Sequence, residues 1–134
     1  MNLIENKERI FSQVAKAMET ANRRDQVNVI AVTKYVGIDQ AKALVDTGVC
    51  HIGENRVDKF LEKYQALKDE GLTWHLIGSL QRRKVKEVIN FVDYFHALDS
   101  MKLAQEIQKR ASHPIKCFIQ VNISGEESKH GFAP

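Results

Sequence analysis

The residue best placed to do chemistry is a lysine that closes an apolar run. In "NVIAVTKYVG", residues 28–37, the stretch containing Val29, Ile30, Ala31 and Val32 stops at Lys34. Lysine is rarely buried without a partner, because the interior does not replace the hydration of its charge. Lys34 therefore either reaches solvent at a strand end or is held there for its chemistry. If it points inward with Ile30 and Val32, desolvation favours its neutral amine. A neutral amine adds to carbonyl carbons and forms Schiff bases, and pyridoxal 5′-phosphate (PLP) is the common aldehyde cofactor held that way.

Other polar residues collect after apolar runs in the same manner: "GEN" at 53–55, "GS" at 78–79, "LDS" at 98–100 and "NIS" at 122–124. Asp99 and Ser100 read as the start of a helix. Glu54 and Asn55 fit a helix cap and a ligand role equally well. His51, His75 and His96 lie on consecutive strand candidates. Three histidines make a catalytic zinc site only when they converge to ~2.1 Å from the metal. Their unequal positions along the strands favour structural histidines. "QRRKVKEV", 81–88, carries four basic residues that could meet phosphates, but Val85, Val88 and Ile89 beneath them describe a solvated helix face. No interleaved aromatics or RNA-binding motif accompany it, so nucleic acid is not an expected partner.

The elements that must position these residues alternate. Residues 3–22 place Leu3, Ile10, Phe11, Val14 and Met18 on one helical stripe. "VNVIAVTK" is short, β-rich and apolar on both faces. Ile38, Ala41, Leu44 and Val45 return to helical spacing, with Gly48 as a C-cap. "VCHIGEN" is a second strand, and Val57, Phe60, Leu61, Tyr64 and Leu67 mark the helix after it, with Gly71 beyond its end. "TWHLIGS" is a third strand, followed by a helix over "KVKEVINFV". "YFHALD" is a fourth strand, and Ser100 caps a helix carrying Leu103, Ala104 and Ile107 that Pro114 ends. "IKCFIQVNI" is a fifth strand, and "SGEESKHGFAP" is a polar loop.

Strands that alternate with helices and are apolar on both faces imply a parallel sheet covered by helices. Two arrangements fit: an open doubly wound sheet, or part of a (β/α)8 barrel. In both, ligands bind at the C-terminal edge of the strands, where the polar residues collect. No G-x-G-x-x-G or G-x-x-x-x-G-K-S/T loop follows a strand, which counts against the usual nucleotide-binding sheets.

Composition sets the outer bounds. The chain has 134 residues, 43% hydrophobic and 28% charged, and a net charge of +3, the balance of one soluble globular domain. That charge is too weak a surplus for a nucleic-acid binder. Cys50 and Cys117, both in apolar runs, read as buried free thiols of a reducing cytosol. "MNLIENKERIF" has early acidic residues and no unbroken apolar region, so no signal peptide is expected. No stretch approaches the ~20 apolar residues of a membrane span. A cytoplasmic location is expected.

Three ordered motifs carry a family resemblance: "AVTKYVGIDQAKALVDTGVCHIGENRVDKFLEK", "WHLIGSLQRRKVK" and "QVNISGEESKHGF". From about residue 28 onward the sequence resembles the PLP homeostasis protein family, itself similar to the N-terminal barrel domain of alanine racemase. The resemblance implies a TIM-type (β/α)8 barrel in which Lys34 forms a Schiff base with PLP. It also implies that Asn55 lies beside the cofactor, that His75 and Gly78 line the pocket, and that Lys129 is a second amine near its mouth. "QRRK", 81–84, stands where many relatives have a smaller polar pair before the lysine, which makes the local surface more basic.

By the same resemblance the protein carries PLP or regulates its supply, with PLP-dependent apoenzymes as recipients and no established turnover reaction. A PLP-dependent racemase-like enzyme is the alternative. That chemistry needs a second base on the opposite cofactor face, which a second domain supplies in the racemases; here only Tyr35, Tyr64 and Tyr94 are available. A full barrel takes ~250 residues, with a phosphate site often built after strands seven and eight. Five strand candidates and a leading helix thus imply an incomplete barrel: residues 1–134 as the N-terminal portion of one PLP-binding domain. Such a sheet has two unpaired edges, so self-association is expected, and without the phosphate site PLP binding is expected to be weak.

Overall fold

The computed structural model describes residues 2–134. The leading helix α1 spans Leu3–Thr20, and Asn2 caps it by accepting the Glu5 N–H at 3.0 Å. Then follow β1 (Ala31–Val32), α2 (Ile38–Val45), β2 (His51–Glu54), α3 (Val57–Leu67), β3 (Thr73–Leu76), α4 (Val85–Val88), β4 (Tyr94–Leu98), α5 (Met101–Arg110) and β5 (Lys116–Ile119). All the strands join one parallel sheet in the order β1-β2-β3-β4-β5.

That order decides between the two arrangements. A doubly wound sheet reverses its strand order so that helices lie on both faces. Here the order never reverses, and successive right-handed crossovers lay the connecting helices on one face. The sheet is singly wound. Its helix-facing residues, Ile52, Trp74, Leu76, Phe95 and Ala97, pack with Ala41, Phe60, Leu67, Val88, Leu103 and Ile107 into one core. The alternate residues, among them His51, Gly53, His75 and His96, face the other way.

The helix periods map onto this core. On α3, Phe60 and Leu67 are buried; on α5, Leu103 and Ile107 are buried, and the Ser100 hydroxyl accepts the Leu103 N–H at 3.2 Å. Gly48 and Gly71 take positive φ values (103° and 70°) that reverse the chain after α2 and α3. Ile10 of the α1 stripe is 44% exposed, on the flank of a face whose Leu3 and Phe11 line a cleft with Val29 and Leu44.

Three expectations need correction. The first strand is far shorter than "VNVIAVTK": the ladder covers Ala31–Val32, because β1 has β2 as its one neighbour and the chain turns after Thr33. The fourth helix is a single α-turn between 3-10 segments at Arg82–Lys84 and Ile89–Phe91. The β-branched Val85, Val88 and Ile89 lower the local helix propensity and remain buried as expected. Both thiols are exposed, not buried: Cys50 precedes β2, and Cys117 lies on the outermost strand β5, whose four residues are all exposed.

Candidate functional site

The C-terminal edge of the sheet opens with a turn. Thr33 leaves β1 with its N–H donating to the Gly53 carbonyl at 3.0 Å, and its own carbonyl accepts the Val36 N–H at 3.2 Å. Lys34 and Tyr35 are the two central residues of that turn. Lys34 is thus at a corner just past the strand, not on it. It is exposed, so the inward, desolvated placement is not adopted. Its Nζ lies 5.0 Å from the centre of the Tyr35 ring, and Tyr35 is 89% exposed.

Beneath this exposed corner lies a fully buried polar cluster. The Glu54 carboxylate accepts from the Thr33 hydroxyl at 2.5 Å and from the Lys63 ammonium at 2.6 Å. The ammonium also donates to the Thr33 carbonyl at 2.5 Å. Thr33, Glu54 and Lys63 are 1%, 0% and 3% exposed. Glu54 therefore caps no helix and faces no open pocket; the N-terminal position of α3 is Arg56, which has no side-chain cap. Lys63 was legible in principle, because it shares the buried face of α3 with Phe60 and Leu67.

Val32 pairs with Gly53, so Lys34 and Asn55 follow the ends of neighbouring strands on the same edge. Asn55 is half-buried, and the loop after β3 closes on it. A Cβ built on Gly78 would lie 2.3 Å from the Asn55 carbonyl oxygen and 2.9 Å from the Asn55 Cβ. Only glycine permits this approach of two backbones. Gly78→Ala should lower stability by about 1–3 kcal/mol, the overpacking range, read as a shift in denaturant midpoint at constant slope.

His75 sits deeper, level with Gly53 at mid-strand. Its Nε2 is 3.0 Å from His51 Nδ1 and its Nδ1 is 2.9 Å from His96 Nε2, so the three rings form a hydrogen-bonded row across β2, β3 and β4. Tyr94 stacks on His75 with ring centres 4.6 Å apart, and Phe118 leans on His96. Burial first, then repulsion from a charged His96 or His51, holds the His75 pKa down at about 4; burial also lowers that of His96. The row commits both His75 nitrogens and one each of His51 and His96, and no group of side chains among the described residues has the geometry to hold a metal ion.

The structure thus brings Asn55 and Gly78 into contact at the strand ends, places Lys34 on the same edge, and sets His75 one layer below. The basic "QRRK" segment lies on the surface, with Arg83 Nε donating to Gln81 Oε1 at 3.0 Å. A cavity of about 490 Å³ between α5 and β5 lies on the helix side, lined by Leu98, Ile107 and Cys117, away from Lys34.

No protein-family profile matches the chain. Curated proteins do. The pyridoxal phosphate homeostasis protein of Aquifex aeolicus is 41% identical over 138 residues, covering all of this chain and 60% of that protein. The protein of the same name from Pasteurella multocida is 34% identical over 140 residues, with the same coverage. Over its whole length the chain is similar to pyridoxal phosphate homeostasis proteins. It spans about three fifths of the length of these relatives. Among solved structures, PipY of Synechococcus elongatus with PLP bound superposes with a TM-score of 0.82 at 28% identity, covering 98% of this chain and 58% of PipY. The chain's α/β fold with five parallel strands is therefore shared with PipY.

Proposed function

We propose that this chain holds PLP as a Schiff base through Lys34 and serves intracellular supply of the cofactor without turning over a substrate. The observation that carries the reading is the exposed Lys34 amine at a pinned turn on the C-terminal edge of a singly wound parallel sheet. The likeness to PLP-bound PipY over nearly the whole chain supports it.

The residues suit that cofactor. When bound, PLP supplies an aldehyde with which a primary amine condenses. Lys34 would hold the group through its primary amine, the one side chain at this corner able to condense with an aldehyde. Asn55, on the same edge as Lys34, would offer its amide to the cofactor. Gly78 keeps the β3 loop against Asn55, and His75 bears on the site from below through its row. A singly wound sheet of β-α units suits the first part of a (β/α)8 barrel, and we read residues 1–134 as the N-terminal portion of one PLP-binding barrel domain. PLP-dependent apoenzymes are the corresponding recipients and the cytoplasm the corresponding location. No helix among the described residues is long and apolar enough to cross a membrane.

A racemase-like enzyme would share Lys34 but needs a second base. Tyr64 is packed against Phe60, Trp74 and Phe91, and Tyr94 lies on His75, which leaves only Tyr35 free among the tyrosines. With excess PLP the chain should develop an imine absorption band that Lys34→Ala lacks; persistence of the band in that variant would sink the assignment. The loaded chain should not exchange the α-protons of amino acids in deuterated water, and steady exchange would favour the enzyme. Phe118 (55% exposed), Ile119 (65%) and Ile123 (84%) lie on or just after the β5 edge, which supports self-association. Sedimentation should show species larger than 15.3 kDa, and a single monomeric boundary at all concentrations would contradict it.

A further inference from the structure

We propose that the buried Thr33–Glu54–Lys63 cluster is a positioning device that fixes the turn presenting Lys34. Every polar atom of Thr33 is committed. Its N–H goes to Gly53, its hydroxyl to Glu54, and its carbonyl is held by both the Val36 N–H and the Lys63 ammonium. The peptide unit that leads into Lys34 is therefore clamped from the helix side, while the lysine beyond it is exposed.

Stability alone does not account for the cluster. Burying two charges costs desolvation that their attraction repays only with full hydrogen bonding. Here Glu54 Oε1 is buried without a partner among the described residues, so the pairing is incomplete. An apolar pair of similar volume would serve the core as well. What an apolar pair would lack is a donor to the Thr33 carbonyl. The ammonium reaches from α3 across to β1, and so ties the corner of one β-α unit to the helix of the next. Lys63 and Glu54 thereby act on Lys34 through Thr33, without touching a ligand themselves.

The cofactor arm of the test rests on the Lys34 reading above; the exchange arm does not. The double variant Glu54→Gln with Lys63→Met removes both charges, leaves an acceptor for the Thr33 hydroxyl, and fills the space of the lysine stem. In the full chain it should keep its far-UV spectrum and melting temperature. Amide exchange at Thr33 and Val36, compared with β3 amides, should quicken at least about tenfold, as loss of a charge-assisted hydrogen bond dictates. Borohydride-trapped PLP on Lys34 should fall while trapping on surface lysines is unchanged. Unaltered exchange at Thr33 and Val36 would overturn the proposal, as would loss of the far-UV spectrum, which would mean the cluster holds the fold and not the turn. If the unsubstituted chain traps no PLP on Lys34, the Schiff-base reading falls and the exchange result alone decides whether the clamp exists.

Discussion

Replacing Lys63 by methionine alone is expected to destabilise the chain by about 3–5 kcal/mol, because Glu54 then keeps a buried charge with no counter-charge. Glu54 is 0% exposed and draws its two hydrogen bonds from Lys63 and Thr33. Removing the ammonium leaves one donor where there were two, in a place water does not reach. Adding Glu54→Gln to that variant should restore the loss, since no net charge then remains in the interior. Denaturant unfolding of the two single variants, the double variant and the parent gives the coupling directly. Additive effects would show that the two side chains do not sense each other, and would remove the physical basis of the cluster.

Acid should weaken the fold across a defined window. His75 is neutral in the folded chain until about pH 4, whereas in the unfolded chain it protonates near 6.5. Above pH 6.5 both states carry neutral imidazole, and the full stability is present. Between 6.5 and 4 the unfolded chain takes up a proton that the folded chain refuses, so stability falls as pH falls, by about 3 kcal/mol in total. Below 4 this group contributes no further loss. His96, also lowered by burial, acts in the same direction. Chemical denaturation at a series of pH values should show that slope, and His75→Gln should flatten it. A slope unaltered by the substitution would place the acid sensitivity elsewhere.

Much of the architecture was legible because each element announces its period. Val57, Phe60, Leu61, Tyr64 and Leu67 specify one helix face, and runs such as "TWHLIGS" and "YFHALD" can only be strands between helices. The polar strand ends were legible for the same reason, since parallel units put all of them on one edge. Strand order was not, because periodicity says nothing about whether the next strand joins the near or the far side. It took the unreversed order β1 to β5 to separate a singly wound sheet from a doubly wound one.

The candidate site was legible as residue types and not as contacts. Lys34 was found, but its place in a turn depends on the Val36 N–H reaching back to Thr33. Glu54 looked like a cap or a ligand because its true partner, Lys63, is nine residues on and lies on a helix face otherwise apolar. The histidine row was hidden by register. His75 pairs with Gly53 on one side and with Tyr94 on the other, so the three rings step diagonally across neighbouring strands, where unequal positions along the strands become side-by-side contacts.

The most direct test of the central claim is a map of where PLP attaches. The 134-residue chain would be equilibrated with PLP, reduced with borohydride to make imine linkages permanent, digested, and the modified lysines quantified by mass spectrometry. The peptide containing Lys34 should carry the dominant modification, Lys34→Ala should abolish it, and Lys129 and the surface lysines should be modified only in proportion to exposure. Labelling spread over exposed lysines with no preference for Lys34 would contradict it.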